Sequence, residues 1–194
     1  MVLIIVSVND ALNQSKNLIV LTIIYNIGEG IVALYLGIKN NSTSLLGFGL
    51  DSVIEITASM VAIWGVTSLN ENVGRKAEKI ISYSFLALAF FILIKSSYDL
   101  LNTIKPEATL FGVLLAAISI LVEGPLSYKK LQLGKKLNNQ VLIAEAKETL
   151  FCLNLSILVI LGIGLNYLFN VWYFDPISAL LMIPWLFHEF KEHR

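Results

Sequence analysis

Six apolar stretches, each long enough to cross a bilayer, dominate this 194-residue chain. A hydrocarbon core about 30 Å thick needs roughly 20 apolar residues per helix. Of all residues, 56% are hydrophobic and 14% are charged, which is more apolar surface than a soluble domain of this length can bury. The sequence therefore predicts an all-α integral membrane protein with six transmembrane helices, at about residues 17–38, 44–68, 79–101, 108–127, 141–165 and 171–189.

Short polar or turn-forming segments separate these spans, and the longest of them, about residues 128–140, is predicted to be a cytoplasmic linker. The N-terminal "MVLIIVSV" lacks the basic region and the small-residue cleavage site of a signal peptide, so we interpret it as a short tail or interfacial segment. We find no stretch that predicts a second folded domain. The expectation is a single transmembrane domain over residues 1–194.

Basic residues indicate the topology, because cytoplasmic loops carry an excess of lysine and arginine. They concentrate before the first span, in the second and fourth connections and after the last span, at Lys16, Arg75, Lys76, Lys79, Lys129, Lys130, Lys135, Lys136, Lys191 and Arg194. The first and third connections carry one lysine each, and the fifth carries none. Both termini are therefore predicted to be cytoplasmic, and we expect a multi-pass protein of a prokaryotic cytoplasmic membrane.

Charge and cysteine content exclude some classes of function. The formal net charge is zero, which argues against an extended basic surface for nucleic acid. The single cysteine, Cys152, rules out an intramolecular disulfide.

Ionisable residues within the spans are costly to insert and usually mark a site or a pathway. The candidates are Glu29, Asp51, Glu55, Lys95, Asp99, Glu123, Glu145, Lys147 and Glu148. Asp99, Glu123 and Glu145 lie near predicted span ends, so we interpret them as side chains that reach the membrane interface. Lys95 and Asp99 are four residues apart, which favours a structural ion pair on one helix face.

Two acids stand in the body of the second span, in "LLGFGLDSVIEITASM". Asp51 and Glu55 are four residues apart and so face the same neighbour. Two carboxylates on one face repel each other unless a cation or shared protons relieve the pair. The pair predicts a metal or proton site, and two protonated carboxyls hydrogen-bonded within the bundle are the alternative.

The fifth span repeats this spacing with Glu148 and Cys152 in "AEAKETLFCLNLS". Glu148 is a hard oxygen donor, and the Cys152 thiolate is a soft sulfur donor suited to zinc-like ions. Both pairs lie near the middle of their spans. Two helices that each contribute such a pair can supply four ligands, so we predict a metal site formed by Asp51, Glu55, Glu148 and Cys152.

At these residues the chain resembles the cation diffusion facilitator family of divalent-metal transporters. The family's second helix reads Leu-Leu-Ala-Asp-Ala-x-His-Ser-Leu-x-Asp, and "STSLLGFGLDSVIEI" keeps that frame with Asp51 at the His and Glu55 at the final Asp. The family's fifth helix carries Ala-x-Ala-x-His-x-x-x-Asp, and "AEAKETLFC" places Glu148 at the His and Cys152 at the Asp. "WYFDPISALLM" is similar to the start of the family's sixth helix.

The resemblance implies a six-helix bundle with a transport site between the second and fifth helices, here without the family's soluble C-terminal domain. It implies efflux of a divalent cation in exchange for protons. Zinc is the expected ion because of Cys152 and the family, and three acids without histidine leave Mn²⁺, Fe²⁺ or Cd²⁺ open. A membrane metal sensor or an accessory subunit of a larger transporter is the alternative. We do not expect an enzyme, because no histidine base is near Cys152 in the sequence and no nucleophile elbow or phosphate loop is present.

Other polar residues have less specific interpretations. Glu29, between Gly28 and Gly30, is predicted either to support the site or relay protons, or to hydrogen-bond a neighbouring helix, and the glycines would permit close helix approach. His188 and His193 are interpreted as interfacial residues. The resemblance implies dimers that depend largely on the soluble domain, so for this chain a homodimer through the membrane helices is left open.

Overall fold

The computed structural model describes the backbone of residues 2–67 and 71–192 and the side chains of residues 11–63 and 79–192. Four residues used to predict the topology or the interface lie outside the described side chains: Arg75, Lys76, His193 and Arg194. The side chains of "MVLIIVSV" also lie outside them. The cytoplasmic position of the termini and the interfacial position of that segment therefore stay predictions.

The described residues are helical almost throughout and contain no strand, which confirms the predicted all-α class. The elements are α1 (Val2–Lys39), α2 (Thr43–Thr67), α3 (Glu71–Leu101), α4 (Leu110–Leu137), α5 (Gln140–Val159), a π-helical turn (Ile160–Gly164), α6 (Leu165–Phe169) and α7 (Phe174–Glu192). The fifth predicted span comprises α5, the π-helical turn and α6, which follow one another without a break.

Five helices are long and apolar enough to cross a membrane within the described residues: Ala11–Lys39, Thr43–Ile63, Lys79–Leu101, Leu110–Leu137 and Gln140–Phe169. The sixth helix, α7, is not among them, because it carries Asp175, Glu189, Lys191 and Glu192 within 19 residues. It nevertheless packs along α3 and the π-helical turn. The described chain is thus a bundle of six long helices, five of them clearly of membrane-spanning character.

Several helices are longer than the apolar stretches that predicted them. Helix α1 begins at Val2, α3 begins at Glu71, and α4 continues to Leu137. Lysine and glutamate are good helix formers, so polar residues at the end of an apolar stretch do not end the helix. The predicted linker at residues 128–140 is therefore wrong, since only two residues lie between α4 and α5.

Most of the tight turns depend on asparagine. Four residues other than glycine have positive φ, namely Asn41, Thr103, Asn138 and Asn170. Asparagine tolerates this left-handed conformation better than most residues. Its positions directly after α1, α4 and α6 allow each helix to stop and the chain to turn back at once.

The helices pack in two groups. Helices α1, α2, α4 and α5 form a ring in which α1 contacts α2 and α4, and α5 contacts the same two helices. Helices α3 and α7 pair with each other and pack against α2. We call the end of the bundle at which α2 and α4 end and α5 begins the inner end, following the predicted topology, and the opposite end the outer end.

Two glycines bring α1 and α2 into close contact. A Cβ atom on Gly49 would lie 2.9 Å from the backbone nitrogen of Leu34, and one on Gly37 would lie 2.9 Å from that of Leu46. Of the two glycines beside Glu29, Gly30 has this function, since a Cβ atom there would lie 3.2 Å from the Cβ atom of Ser52. The expectation is wrong for Gly28, where an added Cβ atom would meet nothing within 4 Å.

Buried acids from α3 and α7 hold the start of α2 at the outer end. Asp175 accepts hydrogen bonds from the hydroxyls of Ser42 and Ser44 and, at 2.9 Å, from the backbone N–H of Thr43. The Thr43 hydroxyl donates to Asp99 at 2.6 Å. These bonds satisfy donors that the first turn of a helix otherwise leaves without partners.

The outer-end acids are therefore parts of the helix framework. Asp99 also forms the predicted ion pair with Lys95, with Nζ and Oδ2 2.6 Å apart. Its interpretation as an interfacial side chain is wrong, because Asp99 is only 1% exposed. The capping donors of α2 and the Lys95 ammonium together make that burial possible.

We predict that Gly49→Ala destabilises the protein by about 1–3 kcal/mol, because the added methyl group would overpack the contact between α1 and α2. Gly28→Ala is the matched control: its methyl group meets nothing, and replacing a helical glycine by alanine is neutral or stabilising. Unfolding of the purified proteins in detergent measures the difference. Equal stability of the two variants would contradict the close helix contact.

We also predict that Asp175→Ala costs about 2 kcal/mol or more, because it leaves buried donors of Ser42, Thr43 and Ser44 without an acceptor. Glu107→Ala, at an exposed position between α3 and α4, should leave the unfolding midpoint unchanged. Thermal unfolding of both variants beside the wild type tests this. A midpoint of Asp175→Ala at the wild-type value would show that these bonds contribute nothing.

Candidate cation site

Six acidic side chains lie in the interior formed by α1, α2, α4 and α5. None is more than 4% exposed: Glu29, Asp51, Glu55, Glu123, Glu145 and Glu148. The described part of the chain offers one buried basic side chain, Lys130 on α4. A carboxylate removed from water needs hydrogen bonds, a cation or a proton to offset its lost hydration.

The acids nearest the inner end have such partners. Ser59 donates to Glu145 at 2.8 Å, and Thr149 donates to Glu55 at 2.7 Å, so two hydrogen bonds connect α2 to α5. Lys130 lies 2.7 Å from Glu145 Oε2 and donates to the Thr149 hydroxyl at 2.7 Å. One ammonium thus serves both acids, directly for Glu145 and through Thr149 for Glu55.

The centre of the bundle holds a second group of acids around Cys152. One ligand atom each from Glu29, Glu123 and Cys152 lies within 4.8 Å of the other two, and these side chains come from α1, α4 and α5. Cys152 Sγ is 4.0 Å from Glu29 Oε2. Tyr25 donates to the other oxygen of Glu29 at 3.0 Å, and Ser52 donates to Oε2 at 3.3 Å.

The four predicted ligands share this interior. Asp51 is 1% exposed, and neither of its oxygens makes a hydrogen bond of normal geometry with the described residues. Glu55 and Glu148 are within electrostatic range of it, and the Cys152 thiol is its nearest donor. The four do not form a set with ligand atoms within 4.8 Å of one another; Cys152 does so with Glu29 and Glu123 instead. The assignment of Asp51, Glu55, Glu148 and Cys152 as ligands therefore stays a prediction.

A cavity of about 340 Å³ leads from the inner end toward this interior. Its polar lining includes Glu145 and Glu148, and it reaches exposed side chains at Lys147 and Glu192. On the outer side of the acids the interior is apolar, where Leu45, Phe48, Ile92, Ile163 and Met182 are buried in one core cluster. The acids thus have a cavity with charged residues in its lining on the inner side and an apolar layer on the outer side.

The interfacial interpretation is also wrong for Glu123 and Glu145, which are 0% and 3% exposed. Glu123 lies at the middle of α4 because that helix continues ten residues beyond the predicted end of its span. The missed signal was periodic: Ser119, Glu123, Ser127 and Lys130 recur at helical spacing and share the buried face of α4.

His188, which is predicted to be an interfacial residue, lies at the inner end of the bundle. His188, Glu189 and Glu192 form the other described group with ligand atoms within 4.8 Å of one another. His188 is 65% exposed in its side chain and lies 4.0 Å from Glu192, which itself contacts Lys147 at 3.6 Å. His188 is thus an exposed side chain near the end of α7, and its interfacial position stays a prediction.

A family model of the cation efflux transmembrane domain matches residues 19–188. The chain therefore belongs to the cation efflux family, which confirms the resemblance to the cation diffusion facilitators. Members of this family are cation transporters and not enzymes. Together with the apolar helices, the match establishes a multi-pass membrane protein.

Three relatives illustrate the range of similarity. An uncharacterized transporter of Methanocaldococcus jannaschii is 27% identical over 180 residues, which cover 84% of this chain and 62% of that protein. Protein p34 of Rickettsia rickettsii is 24% identical over 169 residues, with coverages of 81% and 56%. Transmembrane protein 163 of Xenopus laevis is 25% identical over 158 residues, with coverages of 78% and 56%. The chain thus spans about 60% of the length of these relatives.

We predict that Lys130→Met destabilises the protein by about 3–5 kcal/mol, because it removes one partner of a buried ion pair and leaves Glu145 with Ser59 alone. The matched control is Lys129→Met, since the neighbouring lysine is exposed. Unfolding of both variants in the same detergent gives the comparison. If the two variants were equally stable, the Lys130–Glu145 ion pair would contribute nothing to the stability of the protein.

Proposed function

We propose that this protein is a secondary transporter that moves a divalent metal cation through the ring of α1, α2, α4 and α5. The observation that carries the proposal is the Asp51 carboxylate, which is buried beside Glu55, Glu148 and Cys152 without a hydrogen-bond partner among the described residues. Burying these acids together is costly, and the cost is offset when they bind a cation. Membership of a family of cation transporters supports the same conclusion.

The proposed transport site consists of Asp51, Glu55, Glu148 and Cys152, near the midplane and between α2 and α5. Asp51 and Glu148 have the most direct role: Asp51 has free oxygens, and Glu148 also lines the inner cavity through which a cation would arrive. Glu55 already accepts a hydrogen bond from Thr149, which holds its carboxylate toward α5. Cys152 adds the single sulfur donor.

Zinc is the proposed ion, since a site that combines a thiolate with carboxylates suits a borderline-soft cation. Mn²⁺, Fe²⁺ and Cd²⁺ are the other candidates, because the remaining ligands are all oxygens. A site with oxygen ligands alone would favour harder ions. Whether Cys152 binds the ion therefore decides which of these metals the site prefers.

Proton exchange follows from the chemistry of the same ligands. Carboxylic acids and thiols bind metal in their deprotonated forms, so metal binding releases protons and protons displace metal. An acid-rich interior with one buried lysine among its described side chains needs positive charge in either state. We propose that a cation and protons alternate in supplying it, which gives antiport and, with the predicted topology, efflux from the cytoplasm.

Alternating access would use the contrast between the two halves of the bundle. The cavity lined in part by Glu145 and Glu148 gives the site a path to the inner end, and the apolar layer around Phe48 and Met182 separates it from the outer end. Transport would require this layer to open while the inner path closes, as helices rock around a midplane site.

Flux into proteoliposomes that contain a metal-sensitive dye tests the proposal. With an imposed pH gradient, we expect Zn²⁺ flux in the wild type and a loss of about tenfold or more in Asp51→Ala and Cys152→Ala, because each removes a ligand. Glu107→Ala serves as the exposed control.

Flux that is absent from the wild type, or unchanged by both ligand substitutions, would contradict the proposal. Zinc binding without flux would instead support the alternative of a membrane metal sensor or an accessory subunit. Flux that does not depend on the pH gradient would refute proton exchange alone.

A further inference from the structure

We infer that Glu29, Glu123 and Cys152 form a second position for a soft divalent cation, on the α1–α4 side of the bundle. It differs from the proposed transport site, to which α2 contributes two acids, and has only Cys152 in common with it. The inference takes the divalent charge of the ion from the proposed function, but its geometry stands by itself.

The three ligand atoms are already near coordinating distance. They lie within 4.8 Å of one another, and Cys152 Sγ is 4.0 Å from Glu29 Oε2. Ligands bound tetrahedrally to zinc at about 2.0–2.3 Å are about 3.3–3.8 Å apart. Closing the set around an ion therefore needs movements of about 1 Å, which side-chain rotation on three separate helices can supply.

Glu123 is the independent indication of a ligand. Its side chain is fully buried at the middle of α4, and neither carboxylate oxygen has a hydrogen-bond partner among the described residues. The buried lysine of the same helix, Lys130, is two turns away and pairs with Glu145. No described basic side chain therefore offsets the charge of Glu123, whose carboxylate lies near Ser119 and points toward Cys152 and Glu29.

Glu29 is oriented for the same purpose. Tyr25 holds one of its oxygens, while the other accepts from Ser52 and faces the thiol. Hydrogen bonds of this kind around a ligand fix its orientation and are typical of metal sites. The three ligands are therefore the Glu29 carboxylate, oriented by hydrogen bonds, the Glu123 carboxylate, which accepts none of normal geometry, and the Cys152 sulfur.

Because both positions include Cys152, an ion in only one of them can bind the thiolate at a time. An ion bound by Glu29 and Glu123 would take the thiolate from an ion bound by Asp51 and Glu55. Cys152 is completely buried at the centre of the ring, where both sets of acids can reach it. We expect at most one sulfur-ligated ion per chain at a time, and it lies on the α1–α4 side whenever the transport site is empty.

Cadmium binding to the purified protein tests the inference, because Cd–thiolate bonds give an ultraviolet charge-transfer absorption that reports Cys152 alone. The titrations compare the wild type with Glu123→Gln, Asp51→Asn and the exposed control Glu107→Gln. Gln is isosteric with Glu, and Glu123 accepts no hydrogen bond among the described residues, so its variant should fold. Gel filtration checks this, and Glu123→Asp, which keeps the charge, provides a second variant.

We expect Glu123→Gln to weaken the cadmium affinity read from the sulfur signal by about 10–100-fold. Glu123→Asp and Asp51→Asn should each weaken it less than Glu123→Gln does, and the exposed control Glu107→Gln should leave it unchanged. A sulfur signal that survives Glu123→Gln at wild-type affinity would overturn the inference, as would its absence from the wild type. Loss of the signal in both Glu123→Gln and Asp51→Asn would also overturn it, because one merged site would then hold the ion.

The flux assay separates this inference from the proposed function. If Glu123→Gln abolishes the sulfur signal while wild-type proteoliposomes show no flux, the second position stands and transport fails. If flux depends on Asp51 while cadmium affinity is independent of Glu123, transport stands and the second position fails.

Discussion

The structure depends on the cost of keeping carboxylates in an interior surrounded by apolar helices. Six acids lie within the ring of α1, α2, α4 and α5, where one buried lysine is present among the described side chains. Hydroxyl groups provide much of the remaining compensation, and they come from neighbouring helices as well as from the helix of the acid. The same hydroxyl groups thus connect the helices of the ring and offset the cost of burying its acids.

The acids of the bundle have two different environments. At the outer end, Asp99 and Asp175 accept bonds from the first residues of α2, and these bonds, together with the Lys95 ammonium beside Asp99, offset the cost of burying them. At the centre, Asp51 and Glu123 have no such bonds among the described residues. The two outer acids thus have donors for their carboxylates, whereas Asp51 and Glu123 keep free oxygens near Cys152. A layer of apolar side chains lies between the two groups.

Much of the fold could be predicted from the sequence, because six apolar stretches of membrane-spanning length leave few alternatives. The spacing of acids in the second and fifth spans also predicts that these two helices contribute to one polar interior. Helix ends were less predictable, since a lysine such as Lys130 interrupts an apolar stretch without interrupting the helix. Its burial depends on Glu145, a partner supplied by another helix. Likewise, the position of Glu123 beside Cys152 follows from how α4 packs on α5, which no spacing within one helix contains.

The two hydrogen bonds between α2 and α5 also fix how far these helices can slide past each other. Ser59 lies opposite Glu145, and Glu55 lies opposite Thr149, one helical turn further on. Sliding α5 by one turn, about 5.4 Å, in one direction would set Glu55 against Glu145, two like charges. Sliding it the other way would set Glu145 against the apolar side chain of Ile63, which has no proton to donate. The register of the two antiparallel helices is therefore determined by polar chemistry, and relative motion that preserves it is restricted to tilting and rotation.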